Sequence, residues 1–317
     1  MRLQKQQTAA AVRKIAVGAA RYLILLSFGY VLLYPFLYIF INSIKHASNL
    51  IDPTVQWIPK QITFEAFPFA YRALDFVRSF KNTLLFQICP ALLQACSAAV
   101  AAYGLARFNF KVKKVYLAMM FLNLFVPAAM IVIPSYLSFY QLDFLGILGL
   151  VSKVAGTELR PDLTGTPLAM YLPSALGVGL KGGLFIYIYR QFFMNLPKEL
   201  EDAAWVDGAG PLKTFLKIIV PSSGPAVITV MLFSVIWHWN EYISASLYFP
   251  DDPPLGVSLS RIPSTLSNSE FYSLLAGKNT GAIILAGCLL FVAPVLVFYL
   301  ILQKRFVESI NTSGIVG

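Results

Sequence analysis

Long apolar runs alternate with short polar stretches along this 317-residue chain. A helix needs about 20 predominantly apolar residues to cross a bilayer. Segments 22–41, 83–105, 115–140, 168–193, 226–247 and 281–302 reach that length. Each predicts a membrane-spanning helix, so the expected architecture is all-α with six spans. Pro173, Gly177, Gly179, Lys181, Gly182 and Gly183 interrupt the fourth segment. That pattern predicts a short span preceded by a helix lying along the outer surface.

The composition agrees. Hydrophobic residues make up 57% of the chain and charged residues 13%, and a soluble domain carries about twice that charged fraction. The mean hydropathy is +0.68. Cys89, Cys96 and Cys288 sit in apolar runs with no pairing pattern and read as small buried hydrophobes. His46 and His238 are too few and too far apart for a metal site.

The first apolar run follows a basic stretch (Arg2, Lys5, Arg13, Lys14 and Arg21), as a secretory signal would. Its length exceeds the roughly 7–15 residues of a signal core, and no small-residue cleavage site follows. It reads as a retained helix. With the N-terminus inside, the inner segments hold 15 of the 25 Lys and Arg, counting Arg190 with the inner flank and Lys181 with the outer one. The densest cluster, Arg107, Lys111, Lys113 and Lys114, fills one short loop. The excess of positive charge thus places both termini in the cytoplasm. The formal net charge of +10 reads as topology and not as a nucleic-acid surface. The expected division is a basic tail at 1–21, a six-span domain at 22–303 with an inner elbow at 196–221, and a C-terminal tail at 304–317.

The elbow carries the most specific pattern. Pro197 suits the first position of a helix, and Glu199, Glu201 and Asp202 place negative charge in its first turns, where the helix dipole favours it. Leu200, Ala203 and Ala204 give one apolar face. Gly208 can end the helix in the left-handed conformation, and Pro211 can start another with Leu212, Phe215, Leu216 and Ile219 on its apolar face. A mere connection between two spans needs neither two caps nor two amphipathic faces.

Glu201-Asp-Ala-Ala-Trp-Val-Asp207-Gly208-Ala209, followed by Phe215, Ile218, Pro221 and Pro225, resembles the EAA motif of bacterial ABC importer permeases. The usual Glu-Ala-Ala opening stands here as Asp202-Ala203-Ala204, which keeps a carboxylate at the position. The resemblance implies the type I permease fold in the bacterial inner membrane. It also implies that the elbow is a coupling helix, with Glu201, Asp202, Ala203, Ala204, Asp207, Gly208, Ala209 and Phe215 docking a separate ATPase. Trp239-Asn240-Glu241-Tyr242 is similar to the Trp-Asn-Glu-aromatic signature of carbohydrate-type permeases. The stretch from Gln303 to Gly317 resembles the tail of the second permease subunit of the maltose transporter group, with Ile315 and Val316 where that tail often has a lysine. The partners so implied are a second related permease, two ATPase subunits and an extracytoplasmic binding protein.

No catalytic motif appears. Gly208-Ala-Gly-Pro-Leu-Lys213-Thr214 lacks the glycine directly before the lysine that a phosphate loop requires. No cofactor is expected on this chain, and ATP and Mg belong to the partner ATPases. Polar residues within the spans are the remaining candidates, because burying them in lipid is costly. Gln94 and Asn123 suit interhelical hydrogen bonds or a solute path. Trp237, His238, Trp239, Asn240 and Glu241 suit an interfacial belt or the path. Lys181 lies about 13 Å from Arg190 along a straight helix; it either lines the path or reaches the outer surface as a solvated charge.

The function expected is inward translocation of a sugar or oligosaccharide by a non-catalytic subunit of an ATP-driven importer. A secondary transporter of a small polar solute is the alternative. It would normally show inverted repeats and intramembrane carboxylates, and only Glu241 approaches the latter. A membrane-embedded enzyme is disfavoured by the missing catalytic constellation.

Overall fold

The computed structural model describes residues 2–46, 49, 57–143, 146–157, 159–268 and 278–313. Among them, secondary structure is helical apart from one isolated antiparallel bridge, Lys45 to Ile62. The chain divides into two compact units, residues 1–72 with 262–290, and residues 73–261 with 291–317.

The first unit contains α1 (Arg2–Ser43) and α2 (Ala66–Ala73). Helix α1 runs unbroken through the expected basic tail and the first apolar segment. Its stretch from Arg13 to Ser43 is long and apolar enough to cross a membrane, and none of its most apolar window is buried among the described residues. Such a surface suits hydrocarbon. Lys278 pairs with Glu65 at the surface of this unit, and the nearby ammonium holds the Glu65 carboxyl below its ordinary range.

The second unit is organised around α3 (Phe76–Arg107). It is followed by α4 (Lys113–Phe125), α5 (Ala128–Tyr140), α6 (Ile147–Ala155), α7 (Leu168–Ala175) and α8 (Gly182–Asn195). Then come α9 (Glu199–Val206), α10 (Pro211–Ser222), α11 (Gly224–Trp239) and α12 (Ile243–Tyr248). Helices α13 (Leu255–Leu266) and α14 (Thr280–Ser313) complete the order, and each belongs in part to both units. The core forms because α3 presents a face of small residues. Ala95, Ala98, Ala99 and Ala102 are buried, and Phe185, Tyr189 and Phe193 of α8 fill the space beside them. Small side chains let helices approach closely where lipid offers no hydrophobic drive. From α11, Ala226 and Val230 join the same core, and Ser234 Oγ donates to the Ala91 carbonyl at 2.8 Å.

Two helices widen locally just before a proline. A π-helical stretch at Leu84–Ile88 precedes Pro90, and another at Phe215–Ile219 precedes Pro221. Proline brings no N–H and its ring crowds the carbonyl four residues back, so an extra residue in the turn relieves the conflict.

The helices fall on all six predicted segments, but three segments are broken. The third, expected as one span, splits into α4 and α5 at an angle of 110°. Val126 is extended (φ −71°, ψ 121°) because it precedes Pro127, which disfavours the helical conformation there. The fourth is α7, a loop and α8. The fifth ends as a helix at Trp239 and resumes at Ile243. Among the described residues, Arg13–Ser43, Phe76–Arg107 and Thr280–Lys304 are long and apolar enough to cross singly. The pairs α4 with α5 and α10 with α11 qualify only together. The expected C-terminal tail continues α14 as a helix to Ser313; residues 314–317 lie outside the described set.

Candidate functional site

The breaks in the third, fourth and fifth segments surround one cavity. It has a volume of about 150 Å³, and its lining includes Asn123, Ser135, Phe139, Lys181, His238 and Glu241. Lys181 enters it from the loop between α7 and α8, where its backbone is left-handed at φ +56°. A residue with a Cβ adopts that conformation at a cost of about 1–2 kcal/mol. Its ammonium lies 5.9 Å from the centroid of the Trp237 ring, within range of a cation–π attraction.

The loop is held closely from both sides. A Cβ on Gly182 would come within 2.2 Å of the Gly177 carbonyl oxygen, so only glycine fits. The Gly183 N–H donates to Asn123 Oδ1 at 2.8 Å, which fixes the amide of Asn123 beside the cavity. Glu241 sits in the break after α11. Its Oε1 accepts from the Ser244 N–H at 2.8 Å, and its backbone carbonyl accepts from Gln87 Nε2 at 2.7 Å. His238 Nδ1 lies 2.8 Å from the Ser234 carbonyl. A carbonyl can only accept, so Nδ1 carries the proton and Nε2 of the neutral ring remains an acceptor. The cavity therefore combines an ammonium, an amide, an imidazole, a carboxylate and hydroxyls with the rings of Phe139 and Tyr248.

The structure brings together Lys181, Asn123 and Glu241 from the predicted pathway residues. It places the other three elsewhere. Gln94 is fully buried behind the loop, facing Gly179 and Gly182. Trp239 is buried against Phe80 and Phe291, at ring distances of 6.4 and 5.7 Å. Asn240 is exposed and donates back to the Ile236 carbonyl at 2.8 Å. His238, weighed with its neighbours as a belt or path residue, also lines the cavity, whereas Ser135, Phe139 and Tyr248 were not singled out from the sequence as pathway residues. The breaks at Pro127 and Asn240 are the signal that could have found them, because backbone that leaves a helix inside a membrane must line a cavity or be buried in protein.

At the other end of the same unit lies the elbow. Helix α9 closes with two bonds: the Gly208 N–H donates to the Trp205 carbonyl at 3.0 Å and the Ala209 N–H to the Ala204 carbonyl at 2.9 Å. With Gly208 at φ +78°, this is a Schellman closure, which glycine favours. Pro211 then starts α10.

The eight predicted docking residues divide between two faces. Ala204 and Phe215 point into the bundle, where Phe215 packs on Tyr103 at a ring distance of 4.9 Å. Glu201 is also turned inward, with its Oε1 3.1 Å from Arg107 Nε, and both side chains are about 95% buried. Removing one member of such a pair leaves a buried charge uncompensated, at a cost of about 3–5 kcal/mol. Asp202, Ala203, Asp207 and Gly208 are exposed, and Ala209 is half-buried. The apolar faces predicted for the two helices are divided in the same way: Ala204, Phe215 and Ile219 are buried, whereas Leu200, Ala203, Leu212 and Leu216 are exposed.

Residues 95–311 match the family model described as "binding-protein-dependent transport system inner membrane component". The chain is 27% identical over 289 residues to the trehalose transport system permease protein SugB of Mycobacterium tuberculosis, covering 91% of this chain and 94% of that one. It is also 27% identical over 285 residues to the melibiose/raffinose/stachyose import permease protein MelC of Bacillus subtilis, covering 89% and 91%. Among solved structures, it shares the fold of a chain from a bacterial ABC transporter involved in the import of the acidic polysaccharide alginate. That likeness has a TM-score of 0.71 at 20% identity, over 91% of this chain and 96% of the other. The chain belongs to the family of binding-protein-dependent transport system inner membrane components, the permeases of ABC importers.

Proposed function

We propose that this permease carries a sugar or oligosaccharide into the cytoplasm, and that the cavity at Lys181 is where this subunit touches it. The observation that carries the reading is the mixture of groups in the cavity. A saccharide offers hydroxyls that both donate and accept, and apolar ring faces that stack on aromatic side chains. Lys181 and Asn123 supply donors, Glu241 and His238 supply acceptors, and Phe139 and Tyr248 supply rings. The relatives described above, named for trehalose and for melibiose, raffinose and stachyose, support the same class. At about 150 Å³ the cavity is smaller than the roughly 300–1,000 Å³ of complete small-molecule sites. A second, related permease would supply the remaining wall.

In this reading the exposed face of the elbow, with Ala203 and Gly208 at its centre, docks a separate ATPase, and two such subunits hydrolyse ATP with Mg. An extracytoplasmic binding protein delivers the solute. This chain performs no chemistry of its own. Both termini lie in the cytoplasm, as the Lys and Arg distribution requires. A reporter fused after Ser313 should therefore be active only in the cytoplasm, and one inserted after Ser267 only outside. The same side for both would break the topology. For the substrate class, cells that depend on this permease should take up a labelled di- or trisaccharide, and unlabelled saccharides should compete. Competition by amino acids or peptides but not by saccharides would reject it.

A further inference from the structure

One regular stretch of helix touches both the elbow and the loop that presents Lys181. At its inner end, Arg107 pairs with Glu201 of α9, and its Nη2 donates to the Leu196 carbonyl at 2.8 Å. That carbonyl belongs to the turn entering the elbow. Tyr103, one turn earlier, packs on Phe215 of α10 and on Phe193 of α8. Ten to thirteen residues before Arg107, about 15–20 Å along the axis, the helix meets the loop: Ser97 Oγ donates to the Ser174 carbonyl at the end of α7. Gln94 lies between Gly179 and Gly182, so close that a Cβ on Gly179 would come within 2.1 Å of its Oε1. The intervening turns are pinned by the buried alanines.

Gln94 adds a second observation. It is fully buried, and neither its amide oxygen nor its amide nitrogen has a hydrogen-bond partner among the described residues. A buried amide without partners is costly and calls for an explanation. The loop beside it, with left-handed Gly177 and Lys181, holds its Gly179 N–H on the Pro173 carbonyl at 2.9 Å and its Gly182 N–H on the Gly179 carbonyl at 3.0 Å, so satisfying this amide requires those backbone bonds to exchange.

We infer that the stretch Cys89–Arg107 is a coupling rod, with Arg107 and Gln94 as positioning residues that link the elbow to the Lys181 loop. Movement of the elbow, held to Arg107 through Glu201 and Leu196, shifts the rod along or about its axis. The shift moves Gln94 against Gly179 and Gly182, and the loop exchanges between the arrangement seen here and one in which its backbone bonds the Gln94 amide. Neither residue is a docking contact or a solute ligand. The inference rests on the proposed docking of an ATPase at the elbow.

The test uses the full chain assembled with its second permease and its ATPase, with Cys89, Cys96 and Cys288 replaced by serine and Val178→Cys as a reporter on the loop. Labelling by a water-soluble maleimide is measured without nucleotide and with ATP plus vanadate. The parent should show at least about a fivefold difference between the two states. Arg107→Gln and, separately, Gln94→Leu should bring the ratio close to one while the ATPase still co-purifies. The exchange Arg107→Glu with Glu201→Arg should restore at least half of the difference. A ratio that stays at the parental value in Arg107→Gln overturns the inference, as does a parent whose labelling ignores nucleotide. If Arg107→Gln fails to assemble, Gln94→Leu decides: a lost ratio supports the rod and a retained one overturns it. Failure of the docking reading is distinguishable, because the ATPase would then not co-purify even with the parent, and the inference would fall with it.

Discussion

Gly208→Pro should reduce ATP-dependent uptake by at least about tenfold while the protein still inserts and accumulates. Gly208 stands at φ +78°, whereas proline is locked near −65°. The substitution also removes the N–H that donates to the Trp205 carbonyl. Both bonds of the closure would fail, and α10 would leave α9 in a new direction. No heavy atom lies within 4 Å of the Cβ that another residue would place at this position, so the new side chain meets no clash with the bundle. Gly208→Ala separates the contributions. It keeps the N–H and adds only the left-handed penalty of about 1–2 kcal/mol, so its uptake should fall between wild type and Gly208→Pro. Ala203→Glu tests the same surface without touching the turn. Position 203 is exposed beside Asp202, and a third carboxylate near Glu199 and Asp202 should weaken ATPase co-purification. Normal uptake in Gly208→Pro and Ala203→Glu, with normal co-purification, would remove the elbow as the dock.

Lys181→Met should lower the apparent affinity for the solute at least about tenfold, with little change in the amount of folded protein. Methionine keeps a similar apolar stem and the same left-handed penalty, so the backbone of the loop is not asked to change. What disappears is the ammonium in the cavity, and with it a charge-assisted hydrogen bond to a solute hydroxyl, worth about 1.5–3 kcal/mol. Glu241→Gln is a milder companion, because its Oε1 can still accept from Ser244. A cysteine at 181 should be protected from a water-soluble thiol reagent by solute. If Lys181→Met transports with unchanged affinity and rate, and the cysteine reacts equally with and without solute, Lys181 is a solvated surface charge.

The membrane class and the positions of the helices were legible because hydropathy sums over twenty residues. The directions of those helices were not. Pro127 turns the third segment by 110°, yet it stands in an apolar window that reads as one span. Facing was equally hidden. Trp239, Asn240 and Glu241 are consecutive, and the helix ending at Trp239 sends the first into packing, the second outward and the third to the cavity. The elbow was readable as a turn because proline, glycine and the early carboxylates each have a local cause. The burial of Glu201 had no local signal. An acidic residue in a first turn is explained by the helix dipole alone, and its partner Arg107 is 94 positions earlier in the chain. Arg107 itself belongs to a basic cluster that topology had already accounted for. Lys181 was noticed through its glycine neighbours, and the structure explains them by close approach: Gly182 meets the Gly177 carbonyl and Gly183 meets Asn123.

The central claim is that solute passes through this chain only when a separate ATPase hydrolyses ATP against its elbow. Proteoliposomes holding this permease and its second permease, with binding protein and labelled saccharide supplied outside, test it directly when the ATPase subunits are present or omitted. The account predicts uptake only with the ATPase and internal ATP-Mg, and loss of that uptake with Gly208→Pro. Uptake without the ATPase, driven by a proton or sodium gradient, would contradict it.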